Sequence, residues 1–243
     1  IVKIDGKNTL GLDLAEAANL MKGEPGTNVT LTVRPKDSTT TKEYVVKREE
    51  IHIPSVEGEI LAGTNIAYIN LSMFSQQTEE DLKSVLAKTN IETAEGIILD
   101  LRDNPGGDLG AAIDVAGYFI PQGTAVHIVS KRGTESLATK DNYLGKKLVV
   151  LVNGGSASAS EIVAGAIKDN GSGKLVGTTT FGKGLVQSVI KITEDSALKL
   201  TIAKYLTPKK HDIHGKGIVP DVVVEMDDEL AREVMLYAPD LER

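Results

Sequence analysis

The chain has 243 residues, 41% of them apolar and 25% charged, and a formal net charge of −7. This is ordinary for a globular protein with a sizeable core, and the acidic balance argues against a nucleic-acid partner, which needs a basic stripe. No apolar run approaches the roughly 18–20 residues of a membrane span, and the lack of cysteine excludes disulfides, thiolate metal sites and a cysteine nucleophile together.

Residues 1–48 read as one unit. Ile1–Ile4 is a short strand with a turn at Asp5-Gly6, so the chain opens as if already in mid-domain and shows no signal peptide. Leu14, Ala17, Ala18 and Met21 follow at helical spacing, with Gly23 suited to the C′ position. The segments "NVTLTVRP" and "KEYVVKRE" alternate as two strands around the polar "KDSTTT". Residues 49–65 show little periodicity and read as a connecting segment.

From residue 66 to 243 strands and helices take turns. "IAYINLSMF" is a strand, and "TEEDLKSVLAKTN" a helix beginning at Thr78 with Asp81 at N3. "AEGIILDLR" is a buried strand, and "DLGAAIDVAGYFI" places Leu109, Ala112, Ile113, Ala116 and Phe119 on one helical face. "KKLVVLVN" is again a strand and "SEIVAGAIKDN" a helix; "GKLVGT", "GLVQSVIKI" and "ALKLTIAKYLTP" are further strands. Such alternation predicts an α/β fold with a mixed, largely parallel sheet.

His52, His127, His211 and His214 form no HExxH, and the last two have only Asp212 as a local acid. They read as solvated loop histidines, and no metal or cofactor is expected.

"VNGGSASASEIVAG" lies between a buried strand and a helix, where open α/β sheets place their sites. Ser158 and Glu161 fit a capping box, so the serine has a purely structural use available, worth about 1 kcal/mol. A nucleophilic serine would need a base. Lysine serves if it is neutral, and moving it from about pKa 10.4 to near 7 takes roughly 4.6 kcal/mol. Only desolvation or a nearby positive charge supplies that. Lys183 suits this requirement, since residues 178–190 hold no other charge.

The segments "NGGSASASEIVAGAIKDNG", "TTFGKGLVQ", "GIILDLRDNPGG" and "TIAKYLTP…GKGIVPD" resemble the carboxyl-terminal processing, or tail-specific, proteases, which are serine–lysine peptidases. The resemblance covers about residues 55–225 and implies a ClpP/crotonase-like protease core. Residues 1–48 resemble the second half of the PDZ domain that these proteases carry. By position the nucleophile falls on Ser158, the base on Lys183, 25 residues later, and a glutamine that orients the lysine on Gln187. In an extended strand 183, 185 and 187 project to one face, which would let Gln187 reach the lysine's pocket.

The oxyanion donors are expected to be the Ala159 N–H, at a helix N-terminus, and Gly107, with Gly106 close behind, in the "DLRDNPGG" turn. A phosphate cradle in this turn is disfavoured because the Lys-Ser/Thr of a P-loop is missing. Asp169, 11 residues after Ser158, would lie about 16 Å along a helix and is read as structural. Asp100-Leu-Arg102 is read as an architectural charge pair.

The resemblance implies unfolded or tail-exposing protein substrates and an extracytoplasmic location, and leaves a homo-oligomer open. The family's carboxylate-binding loop and the strand to which a peptide tail adds do not precede Ile1, so the PDZ region is expected to be truncated. The alternative is a catalytically silent peptide- or lipid-binding protein on the same scaffold. Keeping Ser158, Lys183 and Gln187 together argues against it.

Overall fold

The computed structural model describes residues 1–36, 38–194 and 196–225. The last part of the core expected over 66–243 therefore lies outside the described residues. The chain divides into two compact units, with the boundary between Ile53 and Pro54.

In the first unit, β1 (Lys3–Ile4), β2 (Lys7–Asn8), β3 (Asn28–Val33) and β4 (Lys42–Lys47) form an antiparallel sheet of order β2-β1-β3-β4. Helix α1 (Leu14–Met21) starts at Asp13, which exchanges hydrogen bonds with Glu16 in a capping box. Of its apolar stripe only Leu14 is uncovered, at 92% exposed, while Ala17, Ala18 and Met21 are half-buried.

Gly23 does not take the left-handed cap position. The chain leaves the helix through extended backbone at Lys22, φ −69° and ψ 158°. Arg48 satisfies the freed carbonyls instead, its Nε donating to Met21 O at 2.8 Å. A Cβ on Gly23 would stand 2.8 Å from that Nε, so the glycine makes room for the guanidinium.

Among the described residues the second unit has a six-stranded sheet of order β14-β11-β10-β7-β6-β5. Its strands are β5 (Val56–Ile60), β6 (Ile66–Leu71), β7 (Gly96–Asp100), β10 (Lys147–Val152), β11 (Lys174–Gly177) and β14 (Val222–Val223). All pairs are parallel except β5–β6. Helices α2 (Thr78–Lys88), α3 (Leu109–Phe119) and α4 (Ala159–Asn170) lie in the crossovers. Each crossover steps one strand the same way, so right-handedness puts all three helices on one face. That face holds the core, with Ile69, Leu99, Val150, Ala112, Val163 and Ile167 all fully buried.

A second sheet of order β12-β13-β8-β9 is antiparallel, built from β8 (Thr124–Ser130), β9 (Gly133–Ala138), β12 (Leu185–Lys191) and β13 (Ala197–Leu206).

Two elements depart from the sequence reading. The connecting segment expected over 49–65 contains β5, an edge strand whose Glu57 and Glu59 alternate outward; charged, short edges of this kind resist further pairing. The β8–β9 hairpin was not expected at all. At α2, Asp81 does more than sit near the helix start, since its Oδ2 accepts both the N–H and the hydroxyl of Ser55, at 2.8 and 2.9 Å.

Asp100 and Arg102 form the expected pair, Nη2 to Oδ2 2.5 Å, and the Tyr68 hydroxyl donates to the same oxygen at 2.7 Å. Burial and this hydrogen bond push the Tyr68 hydroxyl up to about 12.

Candidate active site

The carboxyl ends of β7 and β10 deliver two loops to one place, as the parallel topology dictates. The first, Asp103–Gly107, is organised by the fully buried Asn104. Its amide donates to Leu71 O at 2.6 Å, and its Oδ1 accepts the Gly106 N–H at 2.9 Å. The second loop, Asn153–Ser158, docks on the first: Ala157 N–H donates to Asn104 O at 2.9 Å. The approach is close enough that a Cβ on Gly106 would stand 2.8 Å from both Ala159 N and Ser158 Cβ, and one on Gly107 2.0 Å from Phe74 O.

The three alternating serines have different duties. Ser156 and Ser160 are fully buried, and their hydroxyls donate to Leu101 O at 2.7 Å and Asn104 O at 2.9 Å. Both serve to hold the loops together. Ser158 instead lines a cavity of about 330 Å³, together with Gly107, Ala159, Lys183, Gln187, Lys199 and Tyr205.

Ser158 does occupy the N-cap of α4, but only half of the capping box forms: Glu161 accepts the Ser158 N–H, while the Glu161 N–H donates to the Ser158 carbonyl at 2.9 Å and not to its hydroxyl. The Ser158 backbone is at φ 58° and ψ −112°, where an N-cap is ordinarily extended. With Ser160 N–H donating to Ala157 O at 3.1 Å, Ser158 takes the first central position of a type II′ turn, which normally needs glycine. Capping alone does not require this conformation, which is uncommon for a residue other than glycine and recurs at functional sites.

The backbone donors separate the two glycines. Gly106 N–H is spent on Asn104, whereas Gly107 N–H and Ala159 N–H have no acceptor among the described residues. Both residues line the cavity.

Lys183 lies half-buried on the loop before β12, and its amine has no hydrogen bond or ion pair among the described residues. Gln187 lines the same cavity as Lys183 and Leu185. The β12–β13 register slips beside it: Val186 pairs with Ala203 and Gln187 with Thr201, so the extra residue, Ile202, lies on β13 and the alternation along β12 runs on through Gln187. Its Nε2 stands 3.5 Å from Thr201 Oγ1, and it makes no hydrogen bond to Lys183.

Two residues outside the sequence-derived set tie the site together. Glu161 is fully buried. Its Oε2 accepts the N–H groups of Ser158 and Lys183, each at 2.9 Å, while Oε1 accepts the Thr180 hydroxyl at 2.6 Å and the Gly182 N–H at 2.8 Å. Tyr205 is likewise buried, with its hydroxyl against the carbonyls of Ser158 and Lys183. In sequence Glu161 showed only as a capping-box acid, and Tyr205 only as part of "TIAKYLTP".

Asp169 stands away from the cavity lining. Its Oδ2 accepts Lys209 N–H at 2.7 Å and its Oδ1 lies 3.5 Å from His211 Nδ1, so it pins the turn after β13.

Residues 65–224 match the family model described as peptidase family S41. The chain is 42% identical over 230 residues to a carboxyl-terminal-processing protease of Synechocystis sp., covering 93% of this chain and 54% of that protein. It is 40% identical to a probable CtpA-like serine protease of Staphylococcus haemolyticus, covering 92% of this chain and 45% of the relative. The chain thus spans about half the length of the curated relatives it matches. Among solved structures, the photosystem II D1 C-terminal processing protease superposes with a TM-score of 0.64 at 31% identity, over 93% of this chain and 62% of that one.

Proposed function

The chain belongs to peptidase family S41, and on that premise we propose that it is a serine endopeptidase acting through an acyl-enzyme. The observation that carries this reading is the shared cavity of Ser158 and Lys183, with the neighbouring serines committed to structural bonds. The Lys183 amine takes the Ser158 proton as Oγ attacks the scissile carbonyl. The Ala159 and Gly107 N–H groups, both without an acceptor among the described residues, receive the oxyanion. The lysine returns its proton to the leaving amine and then activates the deacylating water. Gln187 orients the amine once its amide turns from Thr201, a rotation open to an exposed side chain.

Protein substrates follow from the family. We further propose unfolded or tail-exposing chains as those substrates and an extracytoplasmic setting, in line with the carboxyl-terminal processing relatives. Among the described residues no helix is long and apolar enough to cross a membrane. The first unit is read as the later part of a PDZ-like domain, supported by its small antiparallel sheet with a helix between β2 and β3.

Ser158→Ala tests the reading. The wild-type chain is expected to cut labelled casein, and the variant to lose this by about 10⁴-fold or more while folding normally. Casein cleavage surviving at the wild-type rate in the variant would remove Ser158 from the chemistry.

A further inference from the structure

The two buried side chains that converge on the dyad divide its backbone between them. Ser158 and Lys183 both give their N–H groups to Glu161 Oε2. Both also place their carbonyls on one hydroxyl, that of Tyr205. Every backbone polar group of the two residues thus meets one of two shared partners, although 25 residues of chain separate them.

Resting on the peptidase reading above, we propose that Tyr205 is a positioning residue that aims the Ala159 oxyanion donor and holds the lysine segment in register with the serine. The Ser158–Ala159 peptide is planar and trans, so its N–H points opposite to its C=O. Whatever fixes the Ser158 carbonyl therefore fixes the direction of the Ala159 N–H. That carbonyl accepts the Tyr205 hydroxyl at 3.0 Å, besides the N–H groups of Glu161 at 2.9 Å and Ile162 at 3.1 Å. The last two belong to α4 itself and would form at any helix start. Among the described residues Tyr205 alone reaches the carbonyl from another element.

The ring is held firmly enough for the purpose. Tyr205 N–H donates to Gly184 O at 3.0 Å, and the residue pairs with Ile128 on β8, so strands on both sides fix its place. Burial, reinforced by the Glu161 charge, pushes the hydroxyl well above its ordinary range. It stays a donor throughout the working pH range, which a carbonyl clamp requires.

The test compares wild type, Tyr205→Phe, and Tyr118→Phe, which removes a different tyrosine hydroxyl, one standing 3.4 Å from Glu79 Oε1. Three quantities are read: kcat and KM on labelled casein, affinity for a peptide aldehyde that forms a tetrahedral adduct, and amide hydrogen exchange. Tyr205→Phe is expected to lower kcat by about 10- to 100-fold with KM within about twofold, the pattern of lost transition-state positioning. The aldehyde should weaken in parallel, and exchange should quicken together in residues 156–162 and 181–185. Tyr118→Phe should change none of these.

Wild-type kcat and aldehyde affinity in Tyr205→Phe overturn the proposal, as does faster exchange in only one of the two segments. Ser158→Ala in the same assay separates the two levels of inference. Full activity there sinks the peptidase reading, while the exchange experiment still decides whether Tyr205 joins the segments.

Discussion

Lys183→Ala is expected to lower kcat on labelled casein by at least about 10³-fold with little change in KM, since a general base and its paired nucleophile act as a unit. Lys183 is the only residue of the glycine-flanked turn before β12 that can carry a proton, and its amine has no other partner among the described residues. Asp108 also lines the cavity, but it caps α3, its Oδ1 accepting Ala111 N–H at 2.8 Å. Lys199 sits farther out, on the β13 hairpin strand opposite Val189. Lys183→Arg separates base from charge. A guanidinium keeps the positive charge and cannot be deprotonated, so the arginine variant should be as inactive as the alanine one. Activity retained with arginine would make position 183 an electrostatic anchor and not a base.

Glu161→Gln should combine a loss of about 100-fold or more in kcat with destabilisation of about 2–4 kcal/mol, read by denaturant unfolding. The carboxylate accepts four bonds, two at each oxygen. An amide has one accepting oxygen. If its NH₂ faces the Oε2 side, it meets the N–H groups of Ser158 and Lys183. On the Oε1 side the Thr180 hydroxyl can rotate to accept, but the Gly182 N–H cannot. Either orientation leaves a buried N–H facing a donor, and the backbone that sets the dyad must shift. A variant with normal unfolding and full activity would show that the four-bond hub does not govern the site.

Much of this arrangement was legible in the sequence because it rests on local pattern. The periodicities of "AEGIILDLR", "DLGAAIDVAGYFI" and "KKLVVLVN" correspond to β7, α3 and β10, and a glycine-rich turn after a strand marks close backbone approach. What escaped depends on contacts distant in sequence or on small departures from regularity. The fold brings Thr180, Gly182 and Lys183 to Glu161, so a residue that reads as a helix cap serves as a buried hub.

Tyr205 reaches Ser158 across 47 residues, and no local spacing hints at that. The bulge opposite Val186 and Gln187 breaks the alternation of β13, because the extra residue Ile202 flips the later side chains of that strand to the other face. Gly23 was misread because its partner, Arg48, lies at the far end of another strand. The β8–β9 hairpin has a half-buried first strand carrying His127, whose ring is satisfied by Ser136 at 2.8 Å and Pro208 O at 3.0 Å, an acceptable burial that its polarity concealed.

Covalent trapping distinguishes Ser158 as nucleophile with Lys183 as its base from any other assignment. A peptidyl fluorophosphonate is added to the wild-type chain and to Lys183→Ala, and the modified residue is located by peptide mass spectrometry. Under this assignment one adduct per wild-type chain is expected, on Ser158, with loss of casein cleavage in proportion to labelling, and no adduct in Lys183→Ala over the same time. An adduct on Ser156, Ser160 or any residue outside the cavity, or equal labelling of Ser158 without Lys183, would contradict it.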